Sequence, residues 1–135
     1  MARHPTRSCP CDPNRNYADC CGRWHADTPA PDAESLMRSR YAAYVLGLGD
    51  YLLATWHPST RPRHLSLDAN SEYHTTWLGL KIKDHAITGS DTAVVEFIAR
   101  FREGGGSASR LHERSRFVRE NGKWYYLDGE VDLSP

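Results

Sequence analysis

Four cysteines, Cys9, Cys11, Cys20 and Cys21, crowd into one short stretch, and the rest of the 135-residue chain has none. A secreted disulfide scaffold spreads its cysteines so that they tie distant segments together. This cluster ties one segment only to itself, and neighbours such as Cys20 and Cys21 have poor geometry for bonding each other. Two cysteines one residue apart, then eight residues, then an adjacent pair offer four sulfurs. That is the number a closed tetrahedral metal site takes. Residues 12–19 read as the loop that folds the pairs together; Pro10 and Pro13 stiffen it, while Asn14 and Asn16 accept turn conformations. The segment has almost no aliphatic residues, so metal binding must supply its folding free energy. Zinc, held structurally, is the expected ion, and iron is the alternative because thiolates also suit it. His25 lies four residues after Cys21 and can substitute for one thiolate. The competing reading is free-thiol or redox chemistry.

Beyond Thr28-Pro29-Ala30-Pro31, which reads as a linker, the pattern is helical and then extended. Asp32 can cap a helix whose apolar positions, Leu36, Tyr41, Tyr44, Val45 and Leu48, recur every three or four residues. Gly47 and Gly49 end it. Residues 51–56 form a second short helix carrying Leu52, Leu53 and Trp56, stopped by His57-Pro58. From Thr75 the period becomes two, with Trp77, Gly79 and Lys81 set against Leu78, Leu80 and Ile82. Residues 92–102 place Val95, Phe97, Ala99 and Phe101 on one face and Glu96 and Arg100 on the other. Gly104-Gly105-Gly106 is a hairpin loop, residues 109–120 a third run, Asn121-Gly122 a type I′ turn and residues 123–130 a fourth run. Helices followed by four linked antiparallel strands predict an α+β fold with the helices on one face of the sheet.

Two sets of motifs carry a resemblance. Cys9-Pro10-Cys11 with Cys20-Cys21-Gly22 resembles the SEC-C motif, a zinc-binding segment of the translocase motor SecA and of many small bacterial proteins. The usual Gly-Ser-Gly-like turn is replaced by Asp12-Pro13-Asn14, so the turn is built differently around the same ligands. The stretch from Ala33 through Ser35-Leu36-Met37-Arg38 to Tyr41, with Trp56-His57-Pro58, Leu111-His112-Glu113-Arg114-Ser115 and Trp124-Tyr125-Tyr126-Leu127-Asp128-Gly129, is similar to the bacterial YchJ-like family. The likeness runs over nearly the whole chain. It implies an SEC-C-like metal-binding knob over residues 1–27 and a nuclear-transport-factor-2-like (cystatin-like) domain over residues 28–135. It further implies a cone in which a curved antiparallel sheet wraps a long helix and encloses a pocket. It implies no particular reaction.

Lys+Arg and Asp+Glu are both 17, giving zero net charge, so nucleic acid is not the expected primary partner. No apolar run approaches the roughly 20 residues of a membrane helix, and no apolar stretch follows Met1, so the cytoplasm is the expected compartment. The leading expectation is a metal-stabilised binding or adaptor protein, docking a protein or ribosomal partner through Arg15, Tyr17, Arg23 and Trp24 on the knob. The alternative is a small-molecule enzyme of the isomerase or dehydratase kind, with His57, His112, Glu113, Tyr126 and Asp128 as pocket residues. His112 and Glu113 point to opposite faces of a strand, so they cannot form a dyad; if the Glu113 face is the core, that carboxylate needs a partner. Arg38 and Arg40 read as the solvated face of their helix, and Trp77 and Trp124 as core or rim. A homodimer through the exposed sheet is the remaining expectation for partners.

Overall fold

The computed structural model describes residues 7–65 and 75–134. The first six residues expected in the knob, and Pro135 of the body, lie outside the described residues.

The cysteine segment is more ordered than a loop. Strand β1 (Ser8–Cys9) pairs antiparallel with β2 (Asp12–Asn16), a 3-10 turn covers Tyr17–Asp19, and helix α1 spans Cys21–Ala26. The tight reversal at Cys9 and Asp12 is what brings Cys9 and Cys11 side by side. Pro13 sits in the strand, at the edge of a two-stranded ribbon where a missing N–H costs no ladder bond.

Helix α2 (Ala33–Leu46) begins as its sequence requires: the Asp32 carboxylate accepts from the Ser35 backbone N–H at 2.7 Å. It ends at Gly47, whose φ of 76° is the left-handed cap that glycine adopts without strain. Helix α3 (Gly49–Ala54) follows directly. The buried side of α2 is not quite the one that its apolar periodicity marks. Ala33, Leu36, Met37, Tyr41, Ala42 and Ala43 are buried, and so are Ser39 and Arg40, whereas Val45 is 40% exposed. Arg40 therefore overturns the expectation of a solvated face: it is 3% exposed.

Four strands complete the body: β3 (Thr75–Gly89), β4 (Thr92–Glu103), β5 (Ala108–Glu120) and β6 (Lys123–Ser134), antiparallel and in sequence order. Asn121 (φ 53°) and Gly122 (φ 78°) both take the left-handed region, as a type I′ turn demands. In β4 the alternation is strict, with Ala93, Val95, Phe97, Ala99 and Phe101 buried against the helices. β3 breaks its own period. A bulge between Trp77 and Gly79 leaves Trp77 opposite Phe101 while Leu80 and Ile82 face Ala99 and Phe97, so Trp77 shares the inner face with the residues expected opposite it. The bulge, not the hydrophobic pattern, sets the register there.

Helix α2 lies against β3, β4 and β6 on the inner face of the sheet. The cysteines belong to the same core as Leu36, Tyr41, Val95, Phe97, Phe117 and Trp124, so the knob and the body share one apolar interior. Among the described residues no helix is long and apolar enough to cross a membrane.

Candidate metal centre

The hairpin carries Cys9 and Cys11, and the start of α1 carries Cys20 and Cys21, so two separate backbone turns face each other with their sulfurs inward. All four Sγ atoms lie within 4.8 Å of one another, and none of the four residues is more than 3% exposed. Cys11 is central, 3.6 Å from Cys9 and 3.5 Å from both Cys20 and Cys21. All four thiols are free, so no disulfide joins them. A tetrahedral zinc ion with Zn–S bonds of about 2.3 Å would separate its sulfurs by about 3.8 Å, close to what this chain provides.

The donor set calls for a cation on its own chemistry. Cys21 is pushed far above the ordinary thiol range, first by Cys11 and Cys9 and then by burial; Cys9 is pushed below it, first by Cys11 and then by Cys21. Four crowded sulfurs cannot all be thiolates unless a positive ion sits among them. Part of that charge balance is already in place. The Arg38 guanidinium is half-buried and bound to Glu34 at 3.0 Å; Glu34 and Cys11 together outweigh burial and hold its pKa above the ordinary value. Sequence reasoning missed Arg38 as part of the site. The four-residue spacing of Glu34 and Arg38 was the available signal, but nothing in it points at Cys11.

His25 is committed elsewhere. Its Nε2 lies 2.8 Å from the Ser39 carbonyl, which can only accept, so Nε2 carries the proton; Nδ1, 2.5 Å from the Tyr17 hydroxyl, then accepts from it. Burial lowers the pKa of His25, in keeping with a neutral ring, and the ring packs edge-on against Tyr51 at 4.7 Å. His25 thus clamps the knob to α2 and α3, and both of its nitrogens are engaged away from the sulfurs. Gly22 allows the close return of the chain: a Cβ there would lie 2.7 Å from the Tyr17 carbonyl oxygen. Because that oxygen is backbone, Gly22→Ala is expected to displace the 3-10 turn and weaken metal affinity by roughly ten- to a hundredfold, as damage to the surroundings of a metal site does. Competition against a chromophoric chelator reads the change.

The knob residues expected to dock a partner divide into two kinds. Arg15 and Arg23 are exposed. Arg23 donates to the Cys20 carbonyl at 3.1 Å and lies over the Trp24 ring at 4.3 Å. Tyr17 and Trp24 are half-buried against the core.

The five pocket residues do not converge. His57 bonds Glu120 at 2.7 Å and Ser59 at 2.7 Å beyond the end of α3. His112 meets Glu96 at 2.6 Å on the outer face of the sheet, and Asp128 is bound by both arms of Arg116 on that same face, which lowers its pKa. Glu113 and Tyr126 do come together, on the inner face. The Glu113 carboxylate accepts from Ser115 at 2.5 Å and from Tyr126 at 3.0 Å, and rests over Gly129, where a Cβ would lie 2.3 Å from it. Burial, then Glu113, pushes the Tyr126 hydroxyl well up. Arg40 lies over the Tyr126 ring at 4.6 Å and completes this inner polar group. A groove of about 260 Å³ is lined by Val94, Arg114, Arg116, Asp128, Gly129 and Glu130. It contains neither Glu113 nor Tyr126.

Comparison with known proteins agrees with this architecture. Residues 32–129 match the family model described as the YchJ, middle NTF2-like domain. A UPF0225 protein of Xanthomonas campestris pv. campestris is 60% identical, over 92% of this chain and 95% of that protein. One from Bordetella bronchiseptica is 54% identical, over 97% of this chain and 99% of that protein. The solution structure of a SEC-C motif containing protein from Rhodopseudomonas palustris superposes with a TM-score of 0.79 at 40% identity, covering 91% of this chain and 97% of that one.

Proposed function

The chain belongs to the YchJ-like (UPF0225) family, and from that premise we propose that it is a metal-stabilised binding protein whose N-terminal sulfurs hold one structural zinc ion. The observation that carries this is the closed set of four buried sulfurs within 4.8 Å, all supplied by one short segment. The SEC-C designation of the Rhodopseudomonas palustris relative supports it. Cys9, Cys11, Cys20 and Cys21 would be the ligands; with no fifth position for water, the ion fixes structure and leaves substrate chemistry aside. Zinc is preferred to iron because a buried, non-redox ion matches a site whose role is to fold its own segment.

In this reading the knob is the docking element and the α+β body, taken as the cone-shaped form with α2 inside, is its support. Arg15 and Arg23 are the contact residues, since both are exposed whereas Tyr17 and Trp24 are half-buried against the core. The partner is a protein or ribosomal surface presenting carboxylates or phosphates. The enzyme reading gains little support, because Glu113 and Tyr126 already satisfy each other. An Arg15→Glu/Arg23→Glu variant tests the docking role. It should keep its metal and fold, yet lose the partner that the unaltered protein retains in a crosslinking pull-down identified by mass spectrometry. Equal recovery by both proteins would remove the knob as the docking surface.

A further inference from the structure

β6 is an edge strand whose two halves are finished differently. Its first half is covered by the segment after α3. The Tyr126 N–H donates to the Thr55 carbonyl at 2.8 Å, the His57 N–H donates to the Tyr126 carbonyl at 2.8 Å, and the Thr60 hydroxyl donates to the Leu127 carbonyl at 2.5 Å. From residue 128 to residue 134 the ladder to β5 continues without irregularity, and among the described residues nothing pairs with the other edge. The opposite edge of the sheet carries the usual defences: β3 has register shifts at three places and bears Lys81 and Lys83. The open half of β6 has no lysine, no proline and no bulge. On the inner side it exposes Val131 (50%) and Leu133 (65%). On the outer side it presents Glu130 and Asp132, which make no ion pair among the described residues, whereas Asp128 is taken by Arg116.

An open, regularly paired edge with alternating apolar and acidic side chains is a template for one more strand. We propose that residues 128–134 of β6 bind an extended peptide whose residues alternate apolar and basic, added antiparallel or parallel to the sheet. Backbone hydrogen bonds supply the pairing. The peptide's apolar side chains lie beside Val131 and Leu133, and its basic ones beside Glu130 and Asp132. A second copy of this chain is the poorer occupant. Two β6 edges paired about a twofold axis place Glu130 and Asp132 of one copy against the same carboxylates of the other, and like charges directly across a ladder are destabilising.

The test uses the full-length, metal-loaded protein and a short synthetic peptide alternating lysine and valine, at low ionic strength. Amide shifts on titration should concentrate on residues 128–134, and binding should weaken as salt is added. The matching glutamate–valine peptide should bind at least roughly tenfold more weakly, and a Glu130→Lys/Asp132→Lys variant should reverse that preference. Because the two lysines would also face Arg114 and His112, retained metal content and an unchanged amide spectrum away from β6 are required of the variant. An Asp132→Asn variant, which adds no charge, should weaken lysine–valine binding in the same direction. No shifts on β6, indifference to peptide charge, or self-association through β6 in sedimentation would each overturn the proposal.

Discussion

A Cys9→Ser/Cys11→Ser variant is expected to lose its metal and to melt the knob while the four-stranded sheet remains folded. The segment from Ser8 to Ala26 contributes little to the core besides its cysteines and the half-buried Tyr17 and Trp24. Without the ion, four buried sulfurs have no common charge partner, and the hairpin and α1 have nothing to hold them face to face. The loss spreads one step further, because the His25 clamp on the Ser39 carbonyl and the Tyr51 ring goes with the knob. Losing that cover on α2 should cost the body about 3 kcal/mol, at about 1.5–3 kcal/mol for each large side chain uncovered. In a chain of this size that lowers the thermal midpoint by roughly 10 °C. Hydrogen exchange should show fast amides through the knob and near-native protection in β4 and β5. Unchanged protection in the knob of the metal-free variant would mean that packing alone folds it.

Arg40 should give the second large effect. It is 3% exposed, donates through Nη1 to the Leu52 carbonyl at 2.8 Å and the Thr55 hydroxyl at 2.7 Å, and lies between the rings of Trp56 (5.0 Å) and Tyr126 (4.6 Å). Burial alone would push its charge off, lowering its pKa; the phenols of Tyr44, Tyr126 and Tyr51 and the Glu113 carboxylate oppose that. One guanidinium therefore ties α2 to the end of α3 and, through Thr55 and Tyr126, to the covered half of β6. Arg40→Ala would leave the Leu52 carbonyl short of a donor, Glu113 without its counter-charge and two rings without a filler. The expected cost is about 3–5 kcal/mol, the range for breaking a buried charged group from its partners. It would be read as a fall in the urea midpoint at constant slope. Arg40→Met should recover only the packing share. A loss below about 1 kcal/mol in Arg40→Ala would show that the ring stacking and hydrogen bonds are incidental.

Local chemistry explains which parts were legible in the sequence. Asp32, Gly47 and Asn121-Gly122 act through their own backbone neighbours, so the cap, the helix end and the hairpin turn could be read directly. The cysteine spacing was equally informative, since ligand number and chain reversal are both local. The β3 register was not legible, because the bulge at Trp77 and Gly79 goes with contacts far along the chain, Trp77 meeting Tyr41 of α2 and lying opposite Phe101 of β4. Nor was Arg40. A single arginine on an amphipathic helix reads as solvent-facing unless one knows that Leu52, Thr55, Trp56 and Tyr126 arrive from three other segments to receive it. The same holds for His25. Its spacing from Cys21 fits a ligand, but its real partners, Tyr17 and Ser39, are assigned by packing. Glu113 was half legible: alternation put it on one face with Leu111, Ser115 and Phe117 and made a partner necessary if that face was the core, while the inner placement and the partners Ser115 and Tyr126 came from the packing and from the register of β5 on β6.

Metal content by inductively coupled plasma mass spectrometry decides whether the four sulfurs hold an ion. The protein would be purified without added metal, beside the Cys9→Ser/Cys11→Ser variant. About one zinc per chain is expected in the unaltered protein and none in the variant, as a single closed site of four thiolates requires. No bound metal in fully reduced protein, with all four thiols free to titrate, would contradict it.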